Sequence, residues 1–133
     1  MKTVMAQGTF DVLHPGHIHY LEKSKELGDE LVVVVSRDSR NEDRGLYFDE
    51  EERKDMLNAL EVVDRAILGS EGNIYSTVEK IDPDVITIGH DQNHSVEEVK
   101  KMAEEATGHE VSVERISEKE DYSSSDIKTK KVS

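Results

Sequence analysis

The chain contains no cysteine. Disulfides and thiolate metal sites are therefore excluded, as is a thiol nucleophile, and packing alone must hold the fold. Long apolar runs are also missing. Thr3 to Ala6 gives way at once to Gln7 and Gly8, whereas a signal peptide needs a longer apolar core and a membrane-spanning helix about 20 apolar residues. A soluble cytoplasmic protein with no membrane partner is the expectation. Basic residues are outnumbered, 17 against 30 acidic ones, for a net charge of −13. That balance argues against a nucleic-acid partner and requires any phosphate site to be local. It suits a solvated surface, or a halophilic proteome in which salt screens the self-repulsion. Aromatics are few: Phe10, Tyr20, Tyr47, Phe48, Tyr75 and Tyr122. A length of 133 residues has room for one domain, 1–133, around one core.

What is present is an alternation of two patterns. Thr3–Gly8, Leu31–Ser36, Val63–Leu68 and Asp84–Gly89 are short apolar runs suited to strands buried on both faces of a parallel sheet, and Glu110–Ile116 is a more polar version suited to an edge. Between them, Gly16–Leu27, Glu50–Leu60, Ile74–Ile81 and Val96–Thr107 are spaced as helices. Asp49 with Glu52 and Ser95 with Glu98 read as capping boxes, while Gly28 and Gly108 stand where helices would stop. The alternation predicts an α/β fold, a three-layer α/β/α sandwich with a mostly parallel, five-stranded Rossmann-like sheet and right-handed crossovers. Ligands in such sheets sit at the carboxyl ends of the strands. That rule gathers the loops Thr9–His17, Arg37–Asp49 and His90–Ser95.

The segment Gly8-Thr9-Phe10-Asp11-Val12-Leu13-His14-Pro15-Gly16-His17 carries the chemistry. Gly8 lets the chain turn off the sheet, Pro15 suits the first position of a helix, and Gly16 removes a side chain where a ligand would approach. The unpaired N–H groups and positive end of that helix favour phosphate, and His14 and His17, three residues apart, add donors on the same side. Two plainer readings stand beside this one: a simple turn, and a zinc cluster of His14, His17 and His19, in which the third histidine would point elsewhere and no cysteine completes the set.

The same residues resemble the signature of the cytidylyltransferase-like nucleotidyltransferases, a His-x-Gly-His element after a Gly-Thr-Phe-Asp turn. The likeness extends through Gly28-Asp29, Glu52-Arg53, Val63-Asp64, Gly89 to Asp91 and Tyr122–Lys128. His14-Pro15-Gly16-His17 and Tyr122-Ser123-Ser124-Ser125-Asp126-Ile127-Lys128 look closest to the archaeal FAD synthases. The resemblance implies transfer of AMP from ATP to FMN, with Mg²⁺ accompanying the ATP and no metal ligands assigned in the protein. A homodimer is implied as well. The glycerol-3-phosphate cytidylyltransferases are the near alternative, and a nucleotide-binding regulatory module without catalysis a second.

By the same resemblance, Thr9, Phe10, His14, Gly16 and His17 hold the triphosphate. Arg44, favoured over Arg40, reaches the phosphates alongside the histidines. Gly89 and Asp91 contact the nucleoside or the acceptor, while Tyr122, Ser123, Ser124 and Ser125 belong to the motif that grips the β and γ phosphates. Asp11 takes a structural or acceptor-orienting part. Arg53 lies near the acceptor, or else pairs with Glu50 or Asp49 on the helix surface. Just before the serine motif, Glu118-Lys119-Glu120-Asp121 replace the arginine stretch of the cytidylyltransferases, which counts against cytidine and glycerol 3-phosphate. A platform for the isoalloxazine ring of FMN would have to come from Tyr47, Phe48 or Tyr122 on the ligand-side loops.

Overall fold

The computed structural model describes residues 1–40, 45–70, 74–90, 92 and 94–117, with the side chain of Arg40 excepted. Strands and helices follow in the order β1 (Thr3–Gly8), α1 (Pro15–Lys25), β2 (Glu30–Val35), a single 3-10 turn (Asp38–Arg40), α2 (Glu50–Asn58), β3 (Arg65–Leu68), α3 (Ile74–Ile81), β4 (Val85–Gly89), α4 (Val96–Thr107) and β5 (Ser112–Ile116). The sheet order is β3-β2-β1-β4-β5, and every pairing is parallel. β5 is an edge, as its polar sequence requires.

Alternation within the strands feeds two cores. Val4 and Ala6 of β1 and Leu31, Val33 and Val35 of β2 pack with Tyr20 and Leu21 of α1 and Leu57 of α2. Met5 and Val34 face the other way, toward Val78 of α3 and Val99, Ala103 and Ala106 of α4. Each fully buried Leu, Val or Ile contributes about 1.5–3 kcal/mol. The chain thus runs outward from β1 to β3 with α1 and α2 on one face. It then crosses back past β1 to β4 and β5 with α3 and α4 on the other, the change of face that right-handed crossovers impose. The result is the three-layer Rossmann-like sandwich.

Local signals set the helix ends. Asp49 accepts from Glu52 N at 2.8 Å, and Glu52 returns the bond to Asp49 N at 3.1 Å, a complete capping box. Ser95 accepts from Glu98 N at 3.1 Å, and Gly108 closes α4 with a left-handed φ of 79°. Gly28 has a different reason from the expected helix stop. The helix ends at Lys25 with a right-handed cap at Glu26, and a Cβ on Gly28 would stand 2.7 Å from Val4 Cγ2 and 2.8 Å from the Lys2 carbonyl. Its bareness lets the α1–β2 connection lie against β1. β3 starts at Arg65, later than Val63, because the Asp64 carboxylate turns inward to accept from Leu31 N at 2.7 Å.

The two central strands part toward their carboxyl ends. Register between β1 and β4 runs only over Val4↔Val85 and Met5↔Ile86. Beyond it, side chains bridge the gap. The Tyr20 hydroxyl accepts from Gln7 N at 3.3 Å and donates to the Thr87 carbonyl at 2.9 Å. The Gln92 carboxamide donates to the Gln7 carbonyl at 3.1 Å and accepts from Gly89 N at 3.2 Å. β1 is also where the chain reverses its direction across the sheet, so the crevice opens where a doubly wound fold binds its ligand. Among the described residues, no helix is long and apolar enough to cross a membrane.

Candidate active site

The turn off β1 is built on one ring. Phe10 has a φ of 52°, a left-handed conformation that costs a bulky residue about 1–3 kcal/mol. In exchange its side chain is buried, stacked on Tyr20 at 6.4 Å between centroids and edge-on to His17 at 5.5 Å. The ring folds back over Gly8, where a Cβ would meet Phe10 Cε2 at 2.7 Å. Gly8 is a glycine because Phe10 occupies its side-chain space.

Pro15 takes the first position of α1, and His14 caps the helix. The His14 Nδ1 accepts from Gly16 N at 3.0 Å and the His14 carbonyl from His17 N at 2.9 Å, so the opening amides of α1, expected to be unpaired, are engaged by His14 itself. A ring that accepts at Nδ1 carries its proton on Nε2. His14 thereby keeps one donor for an anion. Gly16 is bare for the same reason, since a Cβ there would stand 2.8 Å from His14 Cε1. The imidazoles of His14 and His17 stack with centroids 3.8 Å apart and planes at 30°. No acidic side chain occupies the first turn of α1, which leaves its positive end uncompensated in a strongly acidic protein. His19 turns away to bond the Ser117 carbonyl at 3.2 Å. Among the described residues no three His, Cys, Asp or Glu side chains are grouped to hold a metal ion.

A buried cation holds the turn from behind. Arg53 of α2 is fully buried, which rules out the helix-surface pairing with Glu50 or Asp49. Its guanidinium donates to the Thr9 carbonyl at 2.9 Å, the Phe48 carbonyl at 3.2 Å and Asp38 Oδ1 at 2.7 Å. Ser36 Oγ adds a bond to Thr9 Oγ1 at 3.2 Å. The Arg53 guanidinium, followed by the Glu50 amide, holds the Asp38 carboxyl below its ordinary pKa. Glu50 in turn binds Arg37, whose Nε reaches the Gly69 carbonyl at 2.6 Å. On the open side, Asp11 accepts from Tyr47 N and Phe48 N, both at 2.9 Å. It ties the β1–α1 loop to the segment entering α2.

Thr9, Phe10, Asp11, His14, Gly16, His17 and Arg53 therefore belong to one connected unit at the carboxyl end of β1, with Gly89 at the end of adjacent β4. Arg44, Asp91, Tyr122, Ser123, Ser124 and Ser125 lie outside the described residues. Sequence reasoning passed over four contributors. Ser36 and Asp38 follow directly on β2, a position that could have drawn attention. Gln92 stands beside Gly89 and Asp91 in the loop after β4 and drew no role of its own. Nothing in the sequence marks Arg115, whose guanidinium binds the carbonyls of Gly89 at 3.1 Å and Gln92 at 2.9 Å, and also that of His94.

Comparison with known proteins bears on this arrangement. Residues 5–130 match the family model described as cytidylyltransferase-like. A Halalkalicoccus jeotgali protein named FAD synthase is 55% identical over 95 residues, 71% of this chain and 67% of that one. A Picrophilus torridus protein of the same name is 46% identical over 129 residues, 94% of this chain and 92% of that one. A Thermoplasma volcanium crystal structure, described as a lipopolysaccharide core biosynthesis protein, superposes with a TM-score of 0.84 at 50% identity, covering 90% of this chain and 99% of that one. With a model match over nearly its whole length, the chain belongs to the cytidylyltransferase-like family of nucleotidyltransferases.

Proposed function

We propose that the chain transfers AMP from ATP to the phosphate of FMN, forming FAD and releasing pyrophosphate. The observation that carries this reading is the stacked His14–His17 pair on the uncompensated positive end of α1, together with relatives that bear the name FAD synthase at 46% and 55% identity. An oxygen of the FMN phosphate attacks the α-phosphorus in line. A new P–O bond forms as the bond to the bridging oxygen breaks, and the electron pair leaves with pyrophosphate. The acceptor phosphate is already ionised at neutral pH, so no general base and no covalent enzyme intermediate are needed.

The protein's work is electrostatic. His14 and His17 donate to the triphosphate, with Arg44 and the serines Ser123, Ser124 and Ser125 assigned to the same phosphates and Gly89, Asp91 and Tyr122 to the nucleotide. Thr9, Phe10 and Gly16 shape the turn around it. Asp11 and Arg53 serve the acceptor side through the backbone they hold. Mg²⁺ travels with the ATP, keeping much of its water shell. The described residues offer no cage for it.

Incubating the chain with Mg²⁺, ATP and FMN, and separately with CTP and glycerol 3-phosphate, tests the reading by product mass. FAD is expected from the first mixture. A product only from the second overturns the assignment. The proposal extends to a single-domain, cytoplasmic homodimer in a salt-rich cell. Sedimentation at low and molar KCl checks the dimer, and a melting temperature that rises with KCl checks the salt adaptation.

A further inference from the structure

We propose that Tyr47 is the platform on which the planar ring system of the acceptor stacks, and that Asp11 positions it without touching the substrate. The inference rests on the FMN reading above. A tricyclic isoalloxazine needs an apolar, planar surface near the phosphate site. Tyr122 lies outside the described residues, and among the aromatics within them most are committed elsewhere. Phe10 and Tyr20 are closed inside the core. Tyr75 belongs to α3, on the opposite face of the sheet from α1, and donates to the Glu105 carbonyl of α4 at 3.1 Å. Phe48 is partly buried, whereas Tyr47 is 83% exposed.

Its location argues for a ligand. The Tyr47 and Phe48 amides are both bound by the Asp11 carboxylate, and Asp11 lies three residues before His14 on the loop that forms the phosphate end. Val12, the next residue on that loop, is 52% exposed. An apolar rim is thus fixed to the same short piece of chain as the histidine pair. Asp11 itself is a poor direct partner for FMN. Each of its oxygens already accepts a backbone N–H, and a free carboxylate beside an anionic acceptor would repel it. The carboxylate instead fastens the segment that carries Tyr47 to the loop that carries the histidines. Arg53 supports the segment from the other side through the Phe48 carbonyl.

The test compares the wild-type chain with Tyr47→Ala, Tyr47→Phe and Asp11→Asn. KM is measured for FMN and for ATP, and FMN binding is followed by quenching of flavin fluorescence. Loss of one stacking surface predicts that Tyr47→Ala raises the KM for FMN about tenfold, while the KM for ATP changes by less than about twofold. Tyr47→Phe restores both the KM for FMN and the quenching. Asp11→Asn keeps one acceptor oxygen and raises the KM for FMN less, and its effect combined with Tyr47→Ala is smaller than additive. If Tyr47→Ala leaves the KM for FMN within about twofold of wild type, or raises both KM values together, the platform assignment is overturned. A wild-type chain that makes no FAD removes the functional reading and this inference with it. A wild-type chain that makes FAD beside an unaffected Tyr47→Ala removes the inference alone.

Discussion

The guanidinium of Arg53 donates to the carbonyl of Thr9 at 2.9 Å, across 44 residues of chain, and so fastens α2 to the turn that leaves β1. One side chain joins Thr9, Phe48 and Asp38 because a guanidinium offers donors in several fixed directions, which an ammonium does not. Arg53→Lys is expected to lower unfolding free energy by about 2–4 kcal/mol, since buried carbonyls lose their donors. The urea midpoint reads that loss. Turnover should fall with it, because the Thr9 carbonyl loses the donor that ties the turn to α2.

Removing either imidazole should leave the fold standing and slow the reaction. If each acts as a preorganised donor to developing charge, His14→Ala and His17→Ala each reduce kcat about 10²–10³-fold. Circular dichroism checks the fold and pyrophosphate release the rate. Near-normal turnover in either variant removes that ring from the transition state.

Gly8→Ala should behave differently, failing in structure before chemistry. The added methyl occupies the space of the Phe10 ring, and displacing that ring disturbs both Tyr20 and His17. A loss of about 1–3 kcal/mol is expected from overpacking. Gly45, with a φ of 60° and open space around its Cα, is the useful contrast: alanine there meets backbone strain alone.

A histidine far from the active site gives the protein a pH signature. His109 is bonded to the Glu110 carbonyl and to Asp82 Oδ1, both at 2.8 Å, and these partners, the carbonyl first, raise its pKa above the ordinary 6.5. A raised folded-state value means that protonation stabilises the native chain. The contribution is complete below pH 6.5 and fades as pH climbs through the higher native value. Melting temperature measured across that range should fall more steeply for the wild type than for His109→Gln. Equal slopes would show that this contact carries no charge.

Much of the architecture was legible because burial on both faces leaves a plain imprint. β2 reads as an unbroken apolar run and is buried throughout from Leu31 to Val35. α3 and α4 begin and end at the expected residues, α3 on apolar spacing alone and α4 with its Ser95 and Gly108 caps in agreement. Strand starts shifted at Val63 and Glu110, where the Asp64 carboxylate takes the Leu31 amide and the Glu104 carboxylate the Val111 amide. At the site, His14, Pro15, Gly16 and His17 were legible because helix-start chemistry is local. The Arg53 network was not, because two of its partners, at Thr9 and Phe48, are main-chain carbonyls, and every residue has one. A sequence shows donors of distinctive type but not which main-chain oxygen they will meet.

The parted ends of β1 and β4 make the central seam adjustable. A ladder of main-chain bonds opens only by breaking, but here the buried Tyr20 phenol spans Gln7 and Thr87, and the partly buried Gln92 carboxamide spans Gln7 and Gly89. Such a joint resembles a sprung clasp more than a weld. With Tyr20 held in the core, Gln92 is the half of the joint that lies on a loop, outside the packed layer.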